Sequence, residues 1–295
     1  MQDSRKREIR KQAYTLREKC KVSRYGIMDL FKECEHLGYK LLRYPLGAEA
    51  DLGFVTKRDN DLVIFTNTSS RLAREIFTLA HEIGHAMLHM GTSISFVDDT
   101  TTISGMSKDE KEQEANYFAS CLLMPEDEVD KFLDLEIADF KKKGLTAMDI
   151  ARIMSEFHVS FEMALNRLEN LGKIDSRVRL KLDNERNQTR VGNLLKSVGG
   201  NSRLNEPAGV IEIPQEYIEY VIYNYNHNAI PLETLEKALA CYHLTIEDIE
   251  DKLEKPEEDK DEDLDALIGG IENESLFGYE CNHSSLSGKS TKHSV

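Results

Sequence analysis

Residues 78–90 read TLAHEIGHAMLHM, which spaces His81, His85 and His89 at intervals of four and puts Glu82 directly after the first. On a helix, side chains four residues apart share a face and lie roughly 6 Å from each other. Two imidazoles so placed can converge on one Zn2+ at bonds of about 2.0–2.1 Å. Glu82 points off that face far enough not to ligate, yet it can reach a water at the metal and serve as general base. Ile83, Ala86 and Met87 supply an apolar flank that excludes solvent. HExxH pentapeptides also occur on ordinary amphipathic helices, so the chemistry needs a third ligand.

His89 does not supply it. It stands eight residues beyond His81, about 12 Å along an unbroken helix. The intervening AML contains no glycine to break the helix and turn a third imidazole inward. A supporting or packing role is expected for it instead. The stretch 111–125, KEQEANYFASCLLMP, offers Glu112 and Glu114. These differ by about 200° around a helix, so one of them can face the metal. Glu112 is favoured because Asn116, four residues on, shares its face and could accept a hydrogen bond from the second nitrogen of a ligating histidine. Glu114 remains the alternative. Two histidines and a glutamate leave one coordination position open, which is the layout of a catalytic zinc rather than a structural one. Tyr117 is a candidate donor to a developing oxyanion.

The elements around these residues follow from pattern. Residues 4–36 read as one or two helices, with Ile27, Leu30 and Phe31 on an apolar face and Gly38 as a stop. YKLLRYPL, DLGFVTKR and DLVIFTNT read as strands, with a turn at Asp59-Asn60, so two or three antiparallel strands are expected. The strand at 61–67 is expected at an edge, where it could pair with an extended peptide. Ser69 or Ser70 would cap the motif helix, residues 91–105 would form a loop, and a second helix would run from Ser107 to Pro125. A further helix is expected over 126–140. Residues 145–172 have helix-turn-helix spacing with Ser160 as a cap, but the second helix is poor in Arg and Lys, so packing is expected rather than DNA reading.

Composition narrows the class. The chain has 295 residues, 40% hydrophobic and 31% charged, enough for one large domain or two ordinary ones. No run approaches the ~20 apolar residues of a membrane span, and the basic N-terminus lacks the apolar core of a secretory signal. Cys20, Cys34, Cys121, Cys241 and Cys281 are scattered without a CxxC pair. Reduced thiols in a cytoplasmic protein are therefore expected, not disulfides or a thiolate zinc site. The net charge of −15 weighs against nucleic-acid binding, which draws on phosphate neutralisation. Much of the acid lies in 247–265, and a solvated acidic tail is expected there.

IFTLAHEIGHAMLH at 76–89 and EQEANYFASCLLMP at 112–125 together resemble the ImmA/IrrE family of metallopeptidases. The strand LVIFTNTSS before the motif helix and the helical pair ending VSFEMALNRLENLG extend the likeness over roughly residues 10–172. The resemblance implies an α+β, zincin-like (gluzincin-like) fold with a small twisted antiparallel sheet packed on the HExxH helix and helical regions after it. It implies His81, His85 and the acidic residue of the ExEAN block, Glu112 on our reading, as zinc ligands, and Glu82 as catalytic base. It further implies a zinc-dependent endopeptidase whose substrate is a helix-turn-helix transcriptional repressor of a mobile element or stress response. The alternative is a regulatory binding protein whose zinc site is proteolytically idle. The expected division is a peptidase domain at 1–140, a helical pair at 141–175, a linker at 176–206, a small helical unit at 207–255 and a disordered tail at 256–295.

Overall fold

The first helix, α1 (Asp3–Arg17), buries Ile9, Ala13 and Leu16 along one stripe, and α2 (Leu30–His36) is capped by Asp29, which accepts from the amides of Phe31 and Lys32. The computed structural model describes residues 1–50, 52–58, 60–90, 95–98, 109–137, 140–214 and 216–254. The chain divides into two compact units, 1–250 and 251–295. The expected tail at 256–295 lies outside the described residues. The boundaries expected at 140, 175 and 206 all fall inside the first unit and do not separate compact bodies.

Strands β1 (Lys40–Tyr44), β2 (Gly53–Arg58), β3 (Asp61–Asn67) and β4 (Ser95–Asp98) form one sheet in the order β1-β3-β2-β4. β2 and β3 pair antiparallel, with Arg58 opposite Asp61, while Asp59 of the expected turn lies outside the described residues; the sheet as a whole is mixed, not antiparallel. β1 runs parallel to β3, with Lys40 opposite Val63 and Tyr44 opposite Asn67. The chain after Tyr44 passes the end of β3 and starts β2 on its far side, so β3 inserts between two strands that precede it. Alternation in sequence reveals strands, not neighbours. β3 is therefore interior, hydrogen-bonded on both sides, and not the edge expected for it. β4, inside the expected loop 91–105, pairs with β2 and lies at the end of the strand order.

Helix α3 (Leu72–Leu88) carries the histidine motif and packs on β2 and β3. Neither Ser69 nor Ser70 caps it; Ser69 Oγ accepts from the Gly47 amide instead. The amide of Leu72 is taken by the carbonyl of Glu206, 2.8 Å away. A buried ion pair fixes the same end of the helix to the sheet. Arg43 of β1 donates to both oxygens of Glu75 at 2.8 and 3.2 Å, and Thr66 of β3 donates to Glu75 at 3.0 Å.

The remaining helices are α4 (Glu110–Leu123), α5 (Glu126–Glu136), α6 (Phe140–Lys143), α7 (Ala147–Phe157) and α8 (Phe161–Asn170). α7 begins in a capping box of Thr146 and Asp149, ends at His158 with φ 55°, and α8 starts under the expected Ser160 cap. α8 exposes Glu162, Asn166 and Asn170. Arg179 of α9 (Ser176–Gln188) bonds Glu162 and Glu169 of this pair.

Residues 176–206 are not a linker. α9, α10 (Val191–Ser197) and a 3-10 turn at Ser202–Asn205 occupy them. Leu182, Leu194, Leu195 and Leu204 are all buried in the principal core cluster. Charged and glycine-rich neighbours hide these four leucines in a local reading, because the surface that buries them belongs to distant elements. α11 (Glu216–Asn226) and α12 (Leu232–Cys241) form the expected later helices. No helix among the described residues is long and apolar enough to cross a membrane. Leu195 is 0% exposed. Leu195→Ala should therefore destabilise the protein by about 2–5 kcal/mol in urea unfolding. A change within about 0.5 kcal/mol, the effect of an ordinary surface site, would restore the linker reading.

Candidate metal centre

His81, Glu82 and His85 are each 0% exposed, on the face of α3 that meets α4 and the sheet. Gly84 lies within the motif, and a Cβ there would sit 3.2 Å from the Cα of Ala115 and 3.2 Å from the Phe118 ring. Glycine thus lets the two helix backbones approach closely at the level of the histidines. Glu112 enters from the first turn of α4. Its two oxygens lie 3.2 Å from His81 Nε2 and 3.3 Å from His85 Nε2, and the two Nε2 atoms are 3.0 Å apart.

Those three separations test the fit to a metal. A tetrahedral ion with bonds of about 2.0–2.1 Å has ligand-to-ligand edges of about 3.3–3.4 Å. His81, His85 and Glu112 form a group that could hold such an ion, with all ligand atoms within 4.8 Å of one another. Two imidazole nitrogens and one carboxylate also match the donor set that zinc accepts. Burial raises the Glu112 carboxyl pKa, but hydrogen bonds to His81 and His85 outweigh it, and the net position is well below the ordinary carboxylate range.

The other expected residues fall into distinct places. Asn116 stands 3.0 Å from His81 Nδ1, so its Oδ1 accepts from that nitrogen when Nε2 faces the metal position. Glu114 is turned away from the group that Glu112 joins. It takes the hydrogen bond of His89 Nε2 at 3.1 Å. His89 ends α3 as its C-cap, and its Nδ1 lies 3.0 Å from His85 Nδ1. It touches His85 and is not one of the group. The Tyr117 hydroxyl is 3.2 Å from Arg10 of α1, which donates to it. Cys121 is buried and unbridged, as are Cys20 and Cys34; Cys241 is also unbridged, and Cys281 lies outside the described residues.

Two residues escaped the sequence reading. Arg5 of α1 clamps Glu114 with Nε and Nη2 at 2.8 and 2.6 Å, across 109 residues of sequence, and no local pattern announces it. Gly53 opens β2 against α3, where a Cβ would lie 2.5 Å from Thr78 Cγ2 and 3.0 Å from Glu82 Oε1. A glycine inside a strand pattern was the available signal for such close approach.

Gly84→Val should press on the Ala115 backbone and cost about 1–3 kcal/mol in chemical denaturation. A neutral result would mean that the helices yield at this contact. Acid should also weaken the metal-free fold. Burial holds His89 below its ordinary 6.5, and the bond from Arg5 holds Glu114 below its ordinary 4.5. As pH falls through each ordinary value the unfolded chain takes the proton first, so stability declines below 6.5 and again below 4.5. Glu112, held low by the imidazoles, adds to the second decline, so Glu114→Gln should lessen that decline without abolishing it. Denaturation of apo protein across this range checks it, and a flat profile contradicts it.

Comparison with known proteins agrees with this geometry. Residues 34–169 match the family model Peptidase_M78, described as IrrE N-terminal-like domain. A relative from Bacillus phage phi105, "Uncharacterized immunity region protein 2", is 27% identical over 130 residues, covering 44% of this chain and 75% of its own. The matched segment, residues 34–169, carries the motif helix, Glu112 and the helical pair, and over that span the chain is similar to an IrrE N-terminal-like domain.

Proposed function

We propose that this chain is a zinc-dependent, site-specific endopeptidase of zincin-like (gluzincin-like) fold. Its substrate is a regulatory protein, a helix-turn-helix transcriptional repressor of a mobile element or stress response, which makes the chain an anti-repressor acting in the cytoplasm. The observation that carries the reading is the convergence of His81 Nε2 and His85 Nε2, 3.0 Å apart, on the two oxygens of the Glu112 carboxylate at 3.2 and 3.3 Å, with Glu82 next to His81. The family match supports peptidase chemistry, and the immunity-region name of the phage relative fits a regulatory substrate.

His81, His85 and Glu112 would hold the zinc, which when bound supplies the Lewis acidity that activates water and polarises the scissile carbonyl. Asn116 and His89 orient the two imidazoles by their Nδ1 atoms. Glu82, buried between α3 and β2, would take the water proton and return it to the nitrogen of the leaving amine. An extended substrate segment could add to a sheet edge, and β4 stands at the end of the strand order where β3 was expected.

Purified protein should contain about one zinc per chain and cleave its cognate repressor at one bond, with activity lost to a chelator and restored by zinc. Glu82→Gln should keep the metal and lower the cleavage rate by about 10²–10⁴-fold, the usual contribution of a general base. Cleavage at an undiminished rate by that variant sinks the peptidase reading. A Glu82→Gln protein that cleaves nothing yet still relieves repression in cells would instead support the regulatory binding protein with an idle site.

A further inference from the structure

The three groups behind His85 make an unbroken line out to the N-terminal helix. His85 Nδ1 meets His89 Nδ1 at 3.0 Å, His89 Nε2 meets Glu114 Oε2 at 3.1 Å, and Glu114 receives Nε and Nη2 of Arg5 at 2.8 and 2.6 Å. His85, His89 and Glu114 are all buried, and Arg5 is half-buried. We infer that Arg5, Glu114 and His89 are positioning residues that fix the proton of His85 on Nδ1, so that α1 sets how tightly the site holds its metal. The inference rests on the reading of His81, His85 and Glu112 as metal ligands.

The donor and acceptor inventory gives the line one direction. A guanidinium only donates, so both of its contacts require Glu114 as an ionised acceptor. Glu114 can then take only a donated proton from His89 Nε2. A neutral imidazole has one N–H, so His89 Nδ1 must accept, and the proton between the two rings belongs to His85 Nδ1. His85 therefore presents its Nε2 lone pair toward Glu112 and His81, which lie 3.3 and 3.0 Å away. His81 reaches the same tautomer through Asn116 of α4. The support of His85 runs through α3 and α4 to a helix that lies before the family-matched residues 34–169.

A bidentate Arg–carboxylate pair also fixes angle as well as charge, which a lysine cannot reproduce. With Arg5 removed, Glu114 could rotate, His89 would lose its fixed partner, and the ring of His85 would be held by its helix alone. Outer partners of metal-binding histidines typically change affinity by about 10–100-fold.

The test is zinc affinity of the full-length apo protein, measured by competition with a chelator of known strength, beside thermal unfolding of each variant. Arg5→Met should weaken zinc about 10-fold or more and Arg5→Lys by less. Arg10→Met, on the same helix but bonded to Glu126 and Tyr117, should keep wild-type affinity. Long-range 1H–15N spectra of histidine rings in the zinc-loaded wild type should show His85 ligating through Nε2 with its proton on Nδ1. Wild-type affinity in a folded Arg5→Met protein overturns the inference, as does an equal loss in Arg10→Met, which would reduce the effect to helix docking. If Arg5→Met does not fold, the ring spectrum decides, and ligation through His85 Nδ1 overturns it. A wild-type chain that takes up no zinc removes the proposed function, and this inference with it, whereas the variant outcomes bear on the inference alone.

Discussion

The backbone contact between α3 and α4 is the constraint on which the site depends. Helices with ordinary side chains between them hold their axes about 8–10 Å apart. Gly84 removes the side chain at the crossing point, so the Ala115 backbone and the Phe118 ring press directly on the motif helix. Only then does the first turn of α4 carry the Glu112 carboxylate to within 3.2–3.3 Å of two imidazoles on α3. The glycine in HEIGH is thus part of the site's geometry although it contributes no ligand atom.

Electrostatics make the same neighbourhood demanding. Glu82 and Glu112 are both buried close to the imidazole pair. Taking carboxylates out of water costs several kcal/mol each unless charge or hydrogen bonds compensate. The imidazole pair supplies hydrogen bonds to Glu112, and the same three side chains form a group that could hold a metal ion. Glu114 is a third buried carboxylate, met by the fork of Arg5 and by His89 Nε2.

The motif helix is held firmly at both ends by elements remote in sequence. Its N-terminal end is tied by Arg43 to Glu75 and by the Glu206 carbonyl to the Leu72 amide. Its C-terminal end is tied through His89 to Glu114 and Arg5. Segments at 5, 43 and 206 therefore serve the same helix, which explains why 176–206 is core and not connector. Pre-organisation of this kind limits the ordering cost of any binding at the histidine face.

The sequence by itself determined the elements and the chemistry that local spacing encodes. The period of four from His81 to His89 placed the imidazoles on one helix, and the separation of Glu112 from Asn116 predicted both a carboxylate and an amide on the face of α4 that meets them. The capping residue Ser160 and the antiparallel pairing of the runs at 53–58 and 61–67 were equally legible, because caps and hairpins join residues close in the chain. Tertiary structure alone decided what pairs with what. The parallel placement of β1 on β3, the strand at 95–98, the backbone cap from Glu206 and the reach of Arg5 to Glu114 all join residues far apart in the chain. The choice of Glu112 over Glu114 belongs to the same class. Both glutamates lie on one helix with similar local surroundings, and only the packing of α4 between α3 and α1 turns one toward the histidine pair and the other toward an arginine.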